Sequence, residues 1–149
     1  MKHNAVIICH TRVSHIIATE LKKSAIKLMR TLKLPSAEVC ITLCDDIEMK
    51  RLNRTYRNKN KTTDVLSFDQ NFKLKNITVL GDIIISVPQT KKQAKLKKFT
   101  FKEELFLLLT HGLLHLIGYD HQTKKKEKVM FTLQNALLTQ TLQSKPYAF

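Results

Sequence analysis

Residues 100–121 read TFKEELFLLLTHGLLHLIGYDH, and the reading of this stretch sets the architecture. Thr100 followed by Glu103 is the pattern of a capping box, in which each side chain satisfies a backbone N–H at the start of a helix. From there to about Ile117 the residues are apolar on almost every side, so the helix they form has to be buried. Gly118 can end it, since glycine takes a left-handed conformation without a steric penalty.

Downstream, an amphipathic helix runs through Met130, Leu133, Leu137 and Thr141 before Pro146. Upstream, Ala5 to Cys9 reads as a strand. Val13, Ile17, Leu21, Ala25, Leu28 and Leu32 then recur at helical spacing until Pro35 stops the pattern. Val39, Ile41 and Leu43 alternate with Cys40, Thr42 and Cys44 to give a second strand, and Asp45 with Glu48 resembles a cap for a short helix ending near Thr55. Arg54 to Thr63 is a basic, polar loop leading into a short strand from Val65 to Phe68, with a turn near Asn71 to Asn76. Val79 to Val87, the longest β-favouring run, predicts a central strand. Pro88 suits the first turn of the next helix, whose Lys91, Lys92, Lys95, Lys97 and Lys98 predict a largely solvated element. The order βαβαββααα puts most strands before most helices. It predicts an α+β domain spanning residues 1–149, with a mixed sheet of about four strands packed with helices, not a regularly alternating doubly wound fold.

A chain of 149 residues, 43% hydrophobic and 26% charged, buries enough surface to fold without disulfide staples. The longest mostly apolar stretch, Leu105 to Tyr119, is interrupted by Thr110, His111, Gly112 and His115 and falls short of the ~20 residues of a membrane span. Ala5 to Cys9 is too short for a secretory signal core, so a cytoplasmic location is expected. Cys9, Cys40 and Cys44 lie in or near apolar segments, which suits reduced, buried thiols. The formal charge of +14 favours polyanionic partners, nucleic acid or an anionic membrane surface, without implying readout of a base sequence.

Half of the six histidines fall in His111-Gly-Leu-Leu-His115-Leu-Ile-Gly118-Tyr-Asp-His121. Positions i and i+4 of a helix share a face, so His111 and His115 can present imidazoles to one ion. A break in the helix at Gly118 would turn the chain and return His121 to the same ion. Three protein ligands leave a fourth tetrahedral position open, the arrangement of catalytic zinc sites and not of closed structural ones. The frame also resembles that of metzincin proteases, but Gly112 stands where those enzymes carry the glutamate that activates water. Glu104, seven residues before His111, is too far along the axis to replace it. Peptide hydrolysis is therefore disfavoured, whereas a phosphodiester depends less on that carboxylate.

Residues 111–121 match throughout the hallmark His-Gly-x-Leu-His-Leu-x-Gly-Tyr-Asp-His, and here the chain resembles the YbeY-type endoribonucleases, the rRNA maturation factors. Leu52-Asn53, Tyr56-Arg57, Thr63-Asp64-Val65-Leu66-Ser67-Phe68 and Leu80-Gly81-Asp82-Ile83 extend the resemblance, in the family's order, over nearly the whole chain. It implies a zincin-like α+β fold, one Zn2+ ion on His111, His115 and His121, and a cytoplasmic enzyme acting on rRNA and ribosomal particles. Arg57 occupies the position of the family's functional arginine, where a planar fork would hold a phosphate in a way lysine cannot reproduce. Thr62 and Asp69 depart from the family by replacing prolines that flank the Thr63–Phe68 segment, which puts loop rigidity in question. Asp120 and Asp82 are candidates to orient a histidine, and Tyr119 and Met130 are expected to pack.

Basic residues Arg51, Arg54, Arg57, Lys59 and Lys61, with Lys91 to Lys98 and Lys124 to Lys126, offer an RNA track. With ten aromatics and no tryptophan, an extended base-stacking platform is not evident. The reading is a single-strand-type, zinc-dependent endoribonuclease of rRNA processing, with Arg57, His111, His115 and His121 as its site and no residue assignable as general base. Two alternatives stay open: a zinc peptidase, and a non-catalytic rRNA-binding assembly factor whose metal stabilises the fold.

Overall fold

A computed structural model describes residues 1–142. The elements run β1 (His3–Cys9), α1 (His15–Thr31), β2 (Ala37–Cys44), α2 (Asp46–Arg57), β3 (Val65–Leu74), β4 (Ile77–Ser86), α3 (Val87–Lys97), α4 (Phe101–Leu116) and α5 (Lys124–Leu142). This is the predicted order, and the fold is α+β. The helix stop expected at Pro146 lies outside the described residues.

The four strands form one sheet in the order β1-β2-β4-β3. β1, β2 and β4 are parallel, and β3 runs antiparallel to β4 as the mixed pattern requires. The β-favouring run around Ile83 to Ile85 is an interior strand, as predicted. β3 is longer than the short strand expected from Val65 to Phe68, because Asp69, unlike a proline, keeps its N–H and pairs with Gly81. Its outer half is solvent-exposed and polar, which is why it resembles a loop in sequence. The true turn is only Lys75-Asn76, both at positive φ (51° and 68°), which matches the twist of a two-residue hairpin. Gly81 (φ 141°) lies beside a register shift between Asp69 and Phe72, where a β-carbon would sit 2.1 Å from the Phe68 carbonyl oxygen. Only glycine permits that approach.

One face of the sheet carries the main core. Ala5, Val39, Ile41, Leu43, Ile83 and Ile85 meet Leu21, Leu28 and Met29 of α1, Leu105, Leu109 and Leu113 of α4 and Met130 of α5. The other face is partly covered by α2, with Met49 against Cys44 and Leu66. As predicted, α4 is buried almost all round, and its Thr100–Glu103 capping box is formed in both directions. α3 is largely solvated, as predicted: Lys91, Lys92, Lys95 and Lys97 are exposed, and only a narrow stripe of Val87, Thr90 and Ala94 is buried. One expectation needs correction. The three thiols are not all buried, since Cys9 is exposed at the last position of edge strand β1 and Cys40 is half-buried. Burial pushes the Cys44 thiol up to about 12, which leaves it inert.

Candidate active site

The last turn of α4 ends in a paired closure: the Gly118 N–H donates to the His115 carbonyl (3.1 Å) and the Tyr119 N–H to the Leu114 carbonyl (3.0 Å). This is the Schellman pattern, with Gly118 at φ 106° as its left-handed residue. The chain then reverses, and His121 comes back beside the helix. Its ring centroid lies 5.6 Å from that of His111 and 5.1 Å from that of His115. One nitrogen from each of the three rings falls within 4.8 Å of the others.

Two of the rings are held from behind. A carbonyl can only accept, so the 3.0 Å contact of His115 Nδ1 with the Tyr119 carbonyl puts the proton on Nδ1. His111 Nδ1 likewise donates to Gln134 Oε1 at 2.9 Å. Burial lowers the pKa of both imidazoles, and the neighbouring histidines add to the effect at His115. In the neutral forms both Nε2 atoms carry lone pairs, and they converge to 3.1 Å. Tetrahedral zinc with N bonds of ~2.0–2.1 Å sets its ligand nitrogens roughly 3.3 Å apart. The donor set therefore fits a divalent cation of zinc's softness: neutral imidazoles, anchored tautomers and Nε2 atoms facing a common point. His121 is the exposed member of the trio.

Sequence reading did not single out Gln134, yet it is buried on α5 and fixes His111. The signal available was a polar residue four positions after Met130, inside the stripe that α5 turns toward the core. Replacing it by leucine keeps the volume and removes the acceptor. Gln134→Leu is expected to weaken metal affinity by about 10- to 100-fold. Competition against a chelator of known affinity measures this, with thermal melting of the metal-free protein as a control for the fold.

Arg57 closes α2, facing the histidines across a cleft of about 800 Å³. Its Nη2 donates to the Ser67 carbonyl at 2.8 Å, and its Cζ lies 5.1 Å from the centre of the Phe68 ring. The guanidinium is thus aimed and keeps further N–H groups for a ligand. Lys59 and Lys61 line the same cleft. The loop carrying them is tied down by groups that sequence reading did not assign. Buried Asn53 donates from Nδ2 to the Lys61 carbonyl (2.9 Å) and accepts on its own carbonyl from the Lys59 N–H (3.3 Å). Asp46 accepts from Thr62 Oγ1 (3.0 Å), Ser86 Oγ (2.8 Å) and Gln89 Nε2 (3.1 Å). Thr62 thus replaces the rigidity of the missing proline with a hydrogen bond.

Of the two aspartates considered for orienting a histidine, Asp82 does not: it accepts from Gln70 Nε2 at 2.8 Å, on the sheet and away from the cleft. Asp120 lines the cleft but is a turn residue, accepting from the Gln122 N–H (3.1 Å) and pairing with Lys126 at 3.6 Å. Met130 and Tyr119 pack as expected, and Tyr119 also supplies the carbonyl that orients His115. Glu104 is wholly buried and held by Lys97 at 2.8 Å, with burial outweighing the lysine and pushing its carboxyl up. Gly112 faces the sheet, and a β-carbon there would lie 2.8 Å from Ile83 Cγ2 and 3.1 Å from Ser67 Oγ. The position of the protease glutamate therefore has no room for a side chain.

Residues 4–142 match the protein family described as Endoribonuclease YbeY. Similar curated proteins include an Endoribonuclease YbeY of Persephonella marina, 43% identical over 120 residues and covering 78% of each chain. One of Bacillus subtilis is 42% identical over 111 residues, covering 68% of this chain and 71% of that one. Among solved structures, the solution structure of TM1509 from Thermotoga maritima superposes with a TM-score of 0.69 at 25% identity, covering 93% of this chain and 89% of the other.

Proposed function

This chain belongs to the Endoribonuclease YbeY family, and from that membership and the geometry of the cleft we propose that it is a zinc-dependent endoribonuclease cutting single-stranded RNA in rRNA maturation. The observation that carries the reading is the placement of three converging imidazoles and one aimed guanidinium in a single cleft with lysines on its wall. His111, His115 and His121 would hold one Zn2+ ion. Such an ion, when bound, supplies a water of lowered pKa and polarises a phosphoryl oxygen.

The remaining work falls to the chain's own groups. Arg57 binds the scissile phosphate through its free N–H groups and offsets the charge that accumulates there during displacement. Its carbonyl anchor at Ser67 and its seat on Phe68 mean that little side-chain freedom is lost when phosphate binds. Lys59 and Lys61 lead the flanking backbone along the cleft. The Tyr119 carbonyl and Gln134 hold His115 and His111 in the tautomer that leaves Nε2 free. No described helix is long and apolar enough to cross a membrane. A cytoplasmic setting with ribosomal particles as the substrate agrees with the +14 charge, and the 1–149 chain would act as one domain.

Arg57→Ala is expected to reduce kcat/KM for RNA cleavage by about 10- to 100-fold, the loss of one or two hydrogen bonds to a charged group. Arg57→Lys recovers only part of it, because an ammonium does not fork. Both variants should melt with the wild type, since Arg57 is exposed. A folded, metal-loaded wild type that binds rRNA but cuts none would favour a non-catalytic assembly factor instead. The peptidase alternative has no support in the geometry at Gly112.

A further inference from the structure

Tyr56 is a large aromatic residue that the chain leaves 62% exposed, immediately before the arginine of the cleft. Scattered exposed aromatics need no explanation, but this one is fixed from one side. Its ring centroid lies 5.3 Å from that of Phe68 at an interplanar angle of 63°, an edge contact that does not cover it. Phe68 itself packs against the small core of Cys44, Met49 and Leu66. The same Phe68 ring seats the Arg57 guanidinium at 5.1 Å. One anchored phenyl group thus positions two neighbours, a cation suited to phosphate and an open aromatic face.

We infer that Tyr56 is a nucleobase contact, stacking on an unpaired base next to the phosphate held by Arg57. This deepens the RNA-cleaving reading and rests on it. The juxtaposition is the one a nucleotide presents, a planar apolar base joined through its sugar to an anion. Base stacking on aromatic side chains tolerates any base, and Tyr56 adjoins Arg57 at a cleft where Arg57, Lys59 and Lys61 supply the cationic contacts for a backbone. It also discriminates between strands, because in a duplex both faces of a base are already covered by its neighbours in the stack. Tyrosine suits the role since only two side-chain torsions need to be ordered, and Phe68 already restrains them. Sequence reading found no extended stacking platform, and none is present among the described residues. What the fold adds is an exposed aromatic that shares its Phe68 support with the arginine of the cleft.

The chain contains no tryptophan, so Tyr56→Trp introduces one fluorophore at the contact itself. The full-length protein is titrated with a single-stranded RNA oligonucleotide, the same oligonucleotide with abasic residues, a duplex of matched length, and inorganic polyphosphate. RNA integrity is checked after each titration. Emission is expected to be quenched by the ordinary single strand and not by the abasic strand, the duplex or polyphosphate. Wild type and Tyr56→Phe should prefer the ordinary over the abasic strand by roughly 5- to 100-fold, and Tyr56→Ala should bind the two nearly alike. A merely structural role for Tyr56 would weaken both strands equally and leave that ratio unchanged. An unchanged ratio in Tyr56→Ala, or unquenched emission with RNA bound, overturns the inference while leaving the RNA-cleaving reading in place. Failure of the wild type to bind any of the RNAs removes that reading, and this contact with it.

Discussion

Alanine in place of His115 is expected to abolish stoichiometric metal binding and to lower RNA cleavage by about 10³-fold or more, the scale of the charge stabilisation a bound ion provides. His115 sits in the middle of the trio: its Nε2 is 3.1 Å from that of His111, and its ring packs edge-on to both partners. Two remaining imidazoles, one of them exposed, make a much weaker site. The fold should survive, because Leu113, Leu114 and Leu116 around it keep α4 in the core. The substitution also frees the Tyr119 carbonyl, but the Schellman bonds of the turn are backbone to backbone and remain. The metal-free variant should therefore melt close to the metal-free wild type, within the equivalent of about 1 kcal/mol. Only the wild type should gain stability when zinc is added. Metal content by mass spectrometry, melting with and without zinc, and cleavage of a labelled single-stranded RNA check the three parts separately.

Gly112→Glu should not make a protease of the protein; it should unfold it. The substitution writes His-Glu-x-x-His into the frame, so on sequence grounds it looks like a gain of function. In the structure the new β-carbon would be 2.8 Å from Ile83 Cγ2, on a fully buried strand residue, and 3.1 Å from Ser67 Oγ. Overpacking alone costs about 1–3 kcal/mol, and a carboxylate forced between helix and sheet adds a further desolvation cost of several kcal/mol. The sum approaches the whole stability of a domain of this size, ~5–15 kcal/mol. Gly112→Ala isolates the first part and should lower stability by about 1–3 kcal/mol, measured by denaturant midpoint. If Gly112→Glu remains folded and cleaves unstructured polypeptide, the assignment of this helix face to sheet packing is wrong.

Much of this architecture is legible in the chain because the relevant signals are local. The apolar run after Thr100, the capping residues and the alternation in β2 each depend on neighbours within a turn or a strand. The His111, His115 and His121 spacing likewise follows from helix geometry plus one glycine. What was misread depends on partners distant in sequence. The outer half of β3 has a polar composition and becomes a strand only by pairing with β4. Cys9 looks apolar in its segment yet lies on an edge strand. Asp82 looked like a histidine partner from its place in a motif, but the register of β4 points it toward Gln70. Gln134, Asp46 and Asn53 support the site through side-chain bonds to partners 8 to 43 residues away, which no spacing rule exposes. The same holds for the pairing of Tyr56 and Arg57 with Phe68.

The most direct check on the three-imidazole centre is X-ray absorption at the zinc edge on the zinc-loaded, catalytically active protein. The spectrum should show one ion per chain with three imidazole nitrogens and a single further oxygen that exchanges with solvent. A sulfur scatterer, a fourth protein side chain in the active form, or full cleavage activity in protein stripped of divalent metal would contradict it.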